Sequence, residues 1–245
     1  MSQEAAGSGS PHELKAVLFD MDGTLIDSMP LHERSWVLWH AELELPFDDP
    51  DGFFHATAGR TNVEILRDLW SDRAEAELEA LAHRKEVLYR EIAARELTLI
   101  AGAAEVCAQA RARGLKVAVC TAAPPENIAV AFERFGFAAL VDTVTSPADR
   151  PFEGGPDDRL RGKPHPDIFV EAARRLGVAP ENCLVFEDAP LGIEAARRAG
   201  MAAVVMTTTL PGSAFAHYPN VIDTLADYNG YTLPTHLTRK ENPHA

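Results

Sequence analysis

Positive charge is what this chain has least of. Lys and Arg together number 23 against 37 Asp and Glu, leaving a net charge of −14. A chain that binds nucleic acid or an anionic membrane as its main partner needs a basic surface, so both classes are set aside. An anionic small substrate is still compatible, provided a few cations are concentrated at one site. Cysteine is also scarce: Cys107, Cys120 and Cys183 are odd in number and lack metal-type spacing. They are expected to be reduced and buried, in a cytosolic protein. No apolar run approaches the length of a membrane span. The first residues, Ser2 to Pro11, have neither a basic segment nor an apolar core, and read as a disordered arm rather than a signal peptide. No internal repeat is found.

What is present begins with Lys15-Ala16-Val17-Leu18-Phe19-Asp20-Met21-Asp22-Gly23-Thr24. The apolar run reads as a buried strand. Side chains two apart on a strand point to one side, so Asp20 and Asp22 leave its C-terminal end together. Open α/β sheets place their ligands at such ends. Two crowded carboxylates repel unless a cation lies between them, and a hard ion such as Mg2+ suits oxygen ligands. A calcium loop is ruled out because its fifth position is Thr24 and its glycine falls at the fourth position instead of the sixth. An ordinary strand followed by an Asp-Gly turn is the plain alternative for this segment alone.

At 245 residues and 46% hydrophobic content the chain can bury a sizeable core. From residue 98 onward strand and helix signals alternate. Helices are expected over Ala101–Arg113, Glu126–Phe135, Pro166–Leu176 and Leu191–Ala199, and strands over Lys116–Cys120, Leu140–Val144, Cys183–Phe186 and Ala202–Met206. This is the pattern of an α/β fold with a doubly wound, mostly parallel sheet. Gly114, Gly136, Gly177 and Gly200 each fall at the position after a helix where a left-handed residue is favoured. Residues 30–97 break the rhythm with helical patterns only: Leu31–Glu44, Asn62–Trp70 and Asp72–Glu96. The expected organisation is an arm over 1–13, a discontinuous core over 14–29 and 98–234, an inserted helical domain over 30–97, and a loose tail over 235–245. Residues 147–162, rich in Pro and Gly, are expected to form a long loop.

Three further strand ends carry polar groups. Thr121 follows Lys116–Cys120, and its hydroxyl with the Ala122 N–H suits a phosphate oxygen. Lys163 lies in Gly162-Lys163-Pro164-His165-Pro166. Glu187 and Asp188 follow Cys183–Phe186 as a second acidic pair. Taken singly, each has a plain structural explanation: a turn threonine, a solvated lysine, a pair stabilising a helix N-terminus. Taken together, two acidic pairs would chelate Mg2+ while a hydroxyl and an ammonium hold a phosphoryl group. That is the arrangement expected where a carboxylate is the nucleophile.

In this order the residues resemble the four motifs of the haloacid dehalogenase superfamily of phosphotransferases, and Phe186-Glu187-Asp188-Ala189-Pro190-Leu191-Gly192-Ile193 is especially diagnostic. The inserted helices resemble the cap of the β-phosphoglucomutase-like and phosphoglycolate phosphatase-like branch. The resemblance implies a Rossmann-like core in which Asp20 attacks phosphorus and Asp22 acts as general acid and base. It implies Mg2+ held by Asp20, Asp22, Glu187 and Asp188, with Thr121, Ala122 and Lys163 on the phosphoryl oxygens. Asp22 is absent from the dehalogenases, so dehalogenation is set aside.

On the helix from Leu31, residues His32, Trp36, Trp39 and Leu43 share one face, and Lys85 interrupts the apolar stripe Leu81, Leu88, Ile92. Arg60 lies in a turn. His32, twelve residues after Asp20, with Arg60 and Lys85, matches the substrate-contacting groups of β-phosphoglucomutase-like caps. The Thr121-Ala122-Ala123-Pro124-Pro125 run departs from the Ser-Ala-Ser-like second motif of the mutase, losing a hydroxyl. The long loop at 147–162 is a second departure. The expectation is a phosphatase acting on a small phosphorylated metabolite such as a sugar phosphate, as a monomer or weak homodimer. A sugar-phosphate mutase is the alternative, and a non-catalytic phosphometabolite-binding protein a third reading.

Overall fold

The computed structural model describes residues 11–57, 60–152, 155 and 158–238. The chain starts with a two-residue strand, β1 (His12–Glu13), followed by β2 (Ala16–Phe19). Four helices come next: α1 (Met29–Glu42), α2 (Pro50–Thr57), α3 (Asn62–Leu69) and α4 (Glu75–Glu96). The remainder alternates: α5 (Ala103–Ala112), β3 (Lys116–Cys120), α6 (Pro125–Phe135), β4 (Thr143–Thr145), α7 (Asp167–Leu176), β5 (Cys183–Glu187), α8 (Pro190–Arg198), β6 (Ala202–Met206), β7 (Val221–Leu225) and β8 (His236–Leu237).

Six strands form one sheet in the order β4-β3-β2-β5-β6-β7, with every pairing parallel. The chain winds from β2 outward to β4, then returns to β5 on the other side of β2. That reversal is a topological switch point, and it sets the C-terminal ends of β2 and β5 side by side. Phe19 is in register with Phe186, and the two rings stack at 5.0 Å. Both faces are covered, which is why the strands read as continuous apolar runs. Val17, Phe19, Val117, Val119 and Phe186 pack on one side with Tyr228, while Leu18, Ala118, Cys120 and Val185 pack on the other with α7 and α8. The three cysteines are buried and free, as expected, and burial pushes each thiol up to about 12.

The helices α1 to α4 bury an apolar cluster of their own, around Trp36, Trp39, Leu66 and Leu78. Trp39 donates its indole N–H to Leu81 O at 3.0 Å, tying α1 to α4. The chain leaves the sheet and returns to it on adjacent segments: Asp27 N–H bonds Thr98 O, and Ile100 N–H bonds Leu25 O. No helix among the described residues is long and apolar enough to cross a membrane.

Several expectations need correction. The strand expected over Leu140–Val144 is Thr143–Thr145, because a short 3-10 turn over Phe137–Ala139 buries Phe137 and delays the strand. Helix α2 was unexpected, and so was β7, whose edge position exposes Asp223 and Thr224. The last turn of the arm and the start of the tail are structured where they meet: His12–Glu13 pairs antiparallel with His236–Leu237. Residues 1–10 of the expected arm and 239–245 of the expected tail lie outside the described residues, as do Ala58, Gly59 and part of 147–162. Leu43, placed with the apolar face of α1, stands 39% exposed at the helix end. Gly114, Gly136, Gly177 and Gly200 do take positive φ, between 67° and 75°.

Candidate active site

Asp20 stands at the exit of β2, 6% exposed, with its N–H held by Phe186 O at 3.0 Å. Lys163 arrives from the loop before α7 and donates to Asp20 Oδ1. The same ammonium faces the Glu187 carboxylate at the end of β5. Burial opposes the charge on Lys163, but Asp20 and Glu187 outweigh it and hold its pKa above the ordinary lysine value. Asp20 is pushed well up, by burial first; Lys163 opposes this, and Glu187, Asp188 and Asp22 reinforce it.

The second acidic pair splits in direction. Glu187 turns toward Lys163 and accepts from Ala189 N–H at 2.9 Å. It lies so close to α8 that a Cβ on Gly192 would meet Glu187 Oε1 at 1.7 Å, which leaves glycine as the residue that fits. Asp188 turns toward the first loop, accepting from Thr24 Oγ1 at 3.3 Å and from Thr209 Oγ1. Gly23, at φ +71°, gives it room, since a Cβ there would sit 2.2 Å from Asp188 Oδ2. Burial, then Glu187, raises Asp188 to about 7.

The two aspartates of the first motif also part. Asp22 Oδ1 accepts from Ser28 Oγ at 2.7 Å and faces His32 Nε2 at 3.5 Å. Behind it, His32 stacks on Tyr89 at 3.9 Å, and its Nδ1 lies 2.6 Å from Lys85 Nζ. Asp22 therefore belongs to the side of the helices, while Asp20 belongs to the sheet. Thr121 is 1% exposed at the end of β3 and its Oγ1 accepts from Ala123 N–H at 3.0 Å, leaving its own proton to donate.

Asp20, Asp22, His32, Lys85, Thr121, Lys163, Glu187, Asp188 and Thr209 line one cavity of about 540 Å3 between the sheet edge and the helices, with Ala122, Arg60 and Trp36 also on its wall. Arg60 reaches it while pairing with Asp68 at 2.8 Å. Every residue expected from the sequence to belong to the site thus meets at this cavity.

Sequence reasoning missed a polar core under its far wall. Glu86 of α4 is bonded by Lys85 at 3.1 Å, by Asn62 of α3 and by Asn127 of α6. Arg90 donates to Asn127 Oδ1 at 3.0 Å. Burial acts against the Glu86 charge, but Lys85, His32 and the Asn127 amide pull its pKa down to about 2. Lys85, 1% exposed, is lowered by burial, against the pull of Glu86. The only local hint was the i, i+4 spacing of Glu86 and Arg90 on one helix face; Asn127 lies 41 residues from Glu86 and gave none.

The site suits a hard divalent cation. Among the described residues, no three His, Cys, Asp or Glu side chains converge as a ready metal cage. Magnesium does not need one, since it is commonly held by one or two carboxylates and retains waters. Asp20 and Asp188 are buried neighbours, each pushed up partly by the other acids around it. A cation between them would relieve that repulsion.

A protein-family model of haloacid dehalogenase-like hydrolases matches residues 14–200. The chain is similar to hexitol phosphatase A of Escherichia coli (strain K12), 34% identical over 190 residues covering 76% of this chain and 80% of that protein. It is similar to β-phosphoglucomutase of Bacillus subtilis (strain 168), 30% identical over 198 residues covering 78% and 82%. Its fold is that of a HAD hydrolase of family IA, variant 3, from Entamoeba histolytica. That crystal structure matches with a TM-score of 0.77 and 24% identity, covering 90% of this chain and 96% of that one.

Proposed function

The chain belongs to the haloacid dehalogenase-like hydrolases, and from that membership we propose that it is a magnesium-dependent phosphatase acting on a small phosphorylated metabolite, a sugar or sugar-alcohol phosphate. The observation that carries the reading is the parting of Asp20 and Asp22. One carboxylate is buried against Lys163 at the sheet edge, and the other is turned to Ser28 and His32. Two carboxyl groups in unlike surroundings suit a nucleophile and an acid–base group.

Lys163, Thr121 and the Ala122 N–H hold the phosphoryl oxygens and align the ester for in-line attack. An Asp20 oxygen attacks phosphorus as the ester P–O bond breaks, giving an aspartyl-phosphate. Asp22, protonated at that stage, gives its proton to the departing alkoxide. Asp22 then takes a proton from water, whose oxygen attacks phosphorus, and the Asp20–phosphorus bond breaks to leave inorganic phosphate. Glu187 keeps Lys163 charged and in place. Magnesium, bound by Asp20, Asp188 and the Asp22 carbonyl, would supply positive charge that offsets the carboxylates and the phosphoryl oxygens. The similarity to hexitol phosphatase A supports the substrate class.

The test is hydrolysis of p-nitrophenyl phosphate. Activity abolished both by Asp20→Asn and by chelation supports the reading; activity that survives Asp20→Asn refutes it. A sugar-phosphate mutase is the second reading, favoured by the likeness to β-phosphoglucomutase. Incubation with β-glucose 1-phosphate and a bisphosphate primer, followed by phosphorus NMR, separates the two: phosphate release without an isomeric product rules out the mutase.

A further inference from the structure

Strand β6 ends at the same end of the sheet as β2 and β5, and Thr207-Thr208-Thr209 follow it. These threonines belong to none of the four motifs read from the sequence. Glu187 is in register with Val205, so the chain leaving β6 passes beside Asp188. Each of the three hydroxyls has a different partner. Thr207 Oγ1 donates to Leu225 O of β7 at 3.2 Å, and neither residue is on the cavity wall. Thr208 Oγ1 donates to Gly23 O, in the turn that carries Asp22. Thr209 Oγ1 donates to Asp188 Oδ2, and Thr209 lines the cavity. One short segment thus reaches both acidic segments, although it contributes no acid itself.

Asp188 is closely held. It is buried, with Oδ1 accepting from Thr24 Oγ1 at 3.3 Å and Oδ2 from Thr209. Gly23 packs against both members of the second pair: a Cβ there would lie 2.2 Å from Asp188 Oδ2 and 3.0 Å from Thr209 Oγ1. A carboxylate oxygen has two lone pairs, so each one can accept from a hydroxyl and still face a cation. Magnesium demands near-octahedral geometry and binds best where its ligands are already fixed. Groups that hold a metal ligand in one orientation commonly matter almost as much as the ligand. Thr24 lies within the first acidic segment, whereas Thr209 braces Asp188 from a different strand.

We propose that Thr209 is a positioning residue for magnesium: its hydroxyl holds the Asp188 carboxylate in the orientation that faces the ion, and Thr208, bonded to Gly23, keeps the segment against the first turn. The inference rests on the magnesium part of the reading above. Without the Thr209 hydroxyl, the carboxylate is free to turn and must be ordered again each time the ion binds. The plain alternative is that these threonines only close the end of β6, in which case the hydroxyl of Thr209 matters to the metal no more than that of Thr207.

The test titrates the full-length protein with Mn2+, counts the free ion by electron paramagnetic resonance, and displaces the bound ion with Mg2+. Thr209→Val removes the hydroxyl at nearly constant volume and is expected to weaken Mg2+ binding by about tenfold or more. Thr209→Ser keeps a hydroxyl and is expected to bind Mg2+ close to the wild-type affinity. Thr207→Val is expected to leave the affinity unchanged, because its hydroxyl is bonded to Leu225. Misfolded protein lowers the number of sites in such a titration and not their dissociation constant, so a loss of folded material is read separately. An affinity unmoved by Thr209→Val overturns the inference and leaves the phosphatase reading standing. So does an equal loss in Thr207→Val, or a Thr209→Ser protein as weak as Thr209→Val. If the wild-type protein binds neither ion, the magnesium reading has failed and takes this inference with it.

Discussion

Asp20 and Asp22 are two positions apart, yet they meet different chemistry. Asp20 is enclosed by sheet, lysine and two further acids, whereas Asp22 is held by a serine hydroxyl and a histidine edge. If Asp22 protonates the leaving group, its worth depends on how basic that group is. Asp22→Asn should lower kcat on a sugar-alcohol phosphate by roughly a hundredfold to ten-thousandfold. On p-nitrophenyl phosphate, whose leaving group needs little protonation, the loss should be far smaller. Equal losses on both would place Asp22 outside proton transfer. The two aspartates, Thr121, Glu187 and Asp188 were legible in the sequence because they stand at or just after the end of an apolar strand, where a polar residue stands out, and Lys163 because it lies in the Gly-Lys-Pro turn of the motif order. Ser28, Thr24 and Thr209 were not, since a hydroxyl near a turn is ordinary and only the fold brings these three to Asp22 and Asp188. The opposite headings of Glu187 and Asp188 were also invisible. They follow from Gly192 and Gly23, which leave room on different sides.

Helix α4 joins the inserted helices to the sheet-bearing part of the chain. Through Glu86 it is bonded to α3 and α6, and at its C-terminal end Arg134 of α6 donates to the carbonyls of Ala94, Arg95 and Leu97. The Glu86 carboxylate is depressed from an ordinary 4.5 to about 2, so its contribution to stability is complete above pH 4.5 and is lost as pH falls toward 2. Glu86→Gln should cost about 3 kcal/mol near neutral pH, because it leaves Lys85 buried without its partner. Urea denaturation should show that difference shrinking as pH falls below 4.5. A difference that stays constant with pH would mean that the Glu86 charge does not hold these helices. The strands of the sheet interior were readable because burial on both faces leaves an unbroken apolar run. Edge strand β7 was not, since its exposed Asp223 and Thr224 dilute the pattern. Helix α2 was hidden by Pro50-Asp51-Gly52, which reads as a turn although proline is well placed in the first turn of a helix. The Glu86–Asn127 link joins residues 41 apart and has no local signature.

At the scale of the whole molecule, a chain of net charge −14 lines its cavity with eight Asp and Glu residues against four Lys and Arg. A divalent ion bound between Asp20 and Asp188 should stabilise the fold as well as serve the reaction. Magnesium at about a hundred times its dissociation constant should raise Tm by on the order of 5–10 °C. Asp188→Asn should lose most of that response while keeping its fold by circular dichroism; an unchanged response would remove Asp188 from the metal site. The parallel order of the sheet explains how positions 20, 121 and 187 converge, since all stand at C-terminal strand ends in register. The central claim is that Asp20 carries the phosphoryl group. The most direct measurement is to quench turnover of a phosphate ester with acid, reduce with borohydride, and read the peptides by mass spectrometry. An acyl phosphate becomes an alcohol under this treatment, so the account predicts homoserine at position 20 and at no other aspartate or glutamate. Homoserine elsewhere, or none at position 20 in a sample that was releasing phosphate, would contradict it.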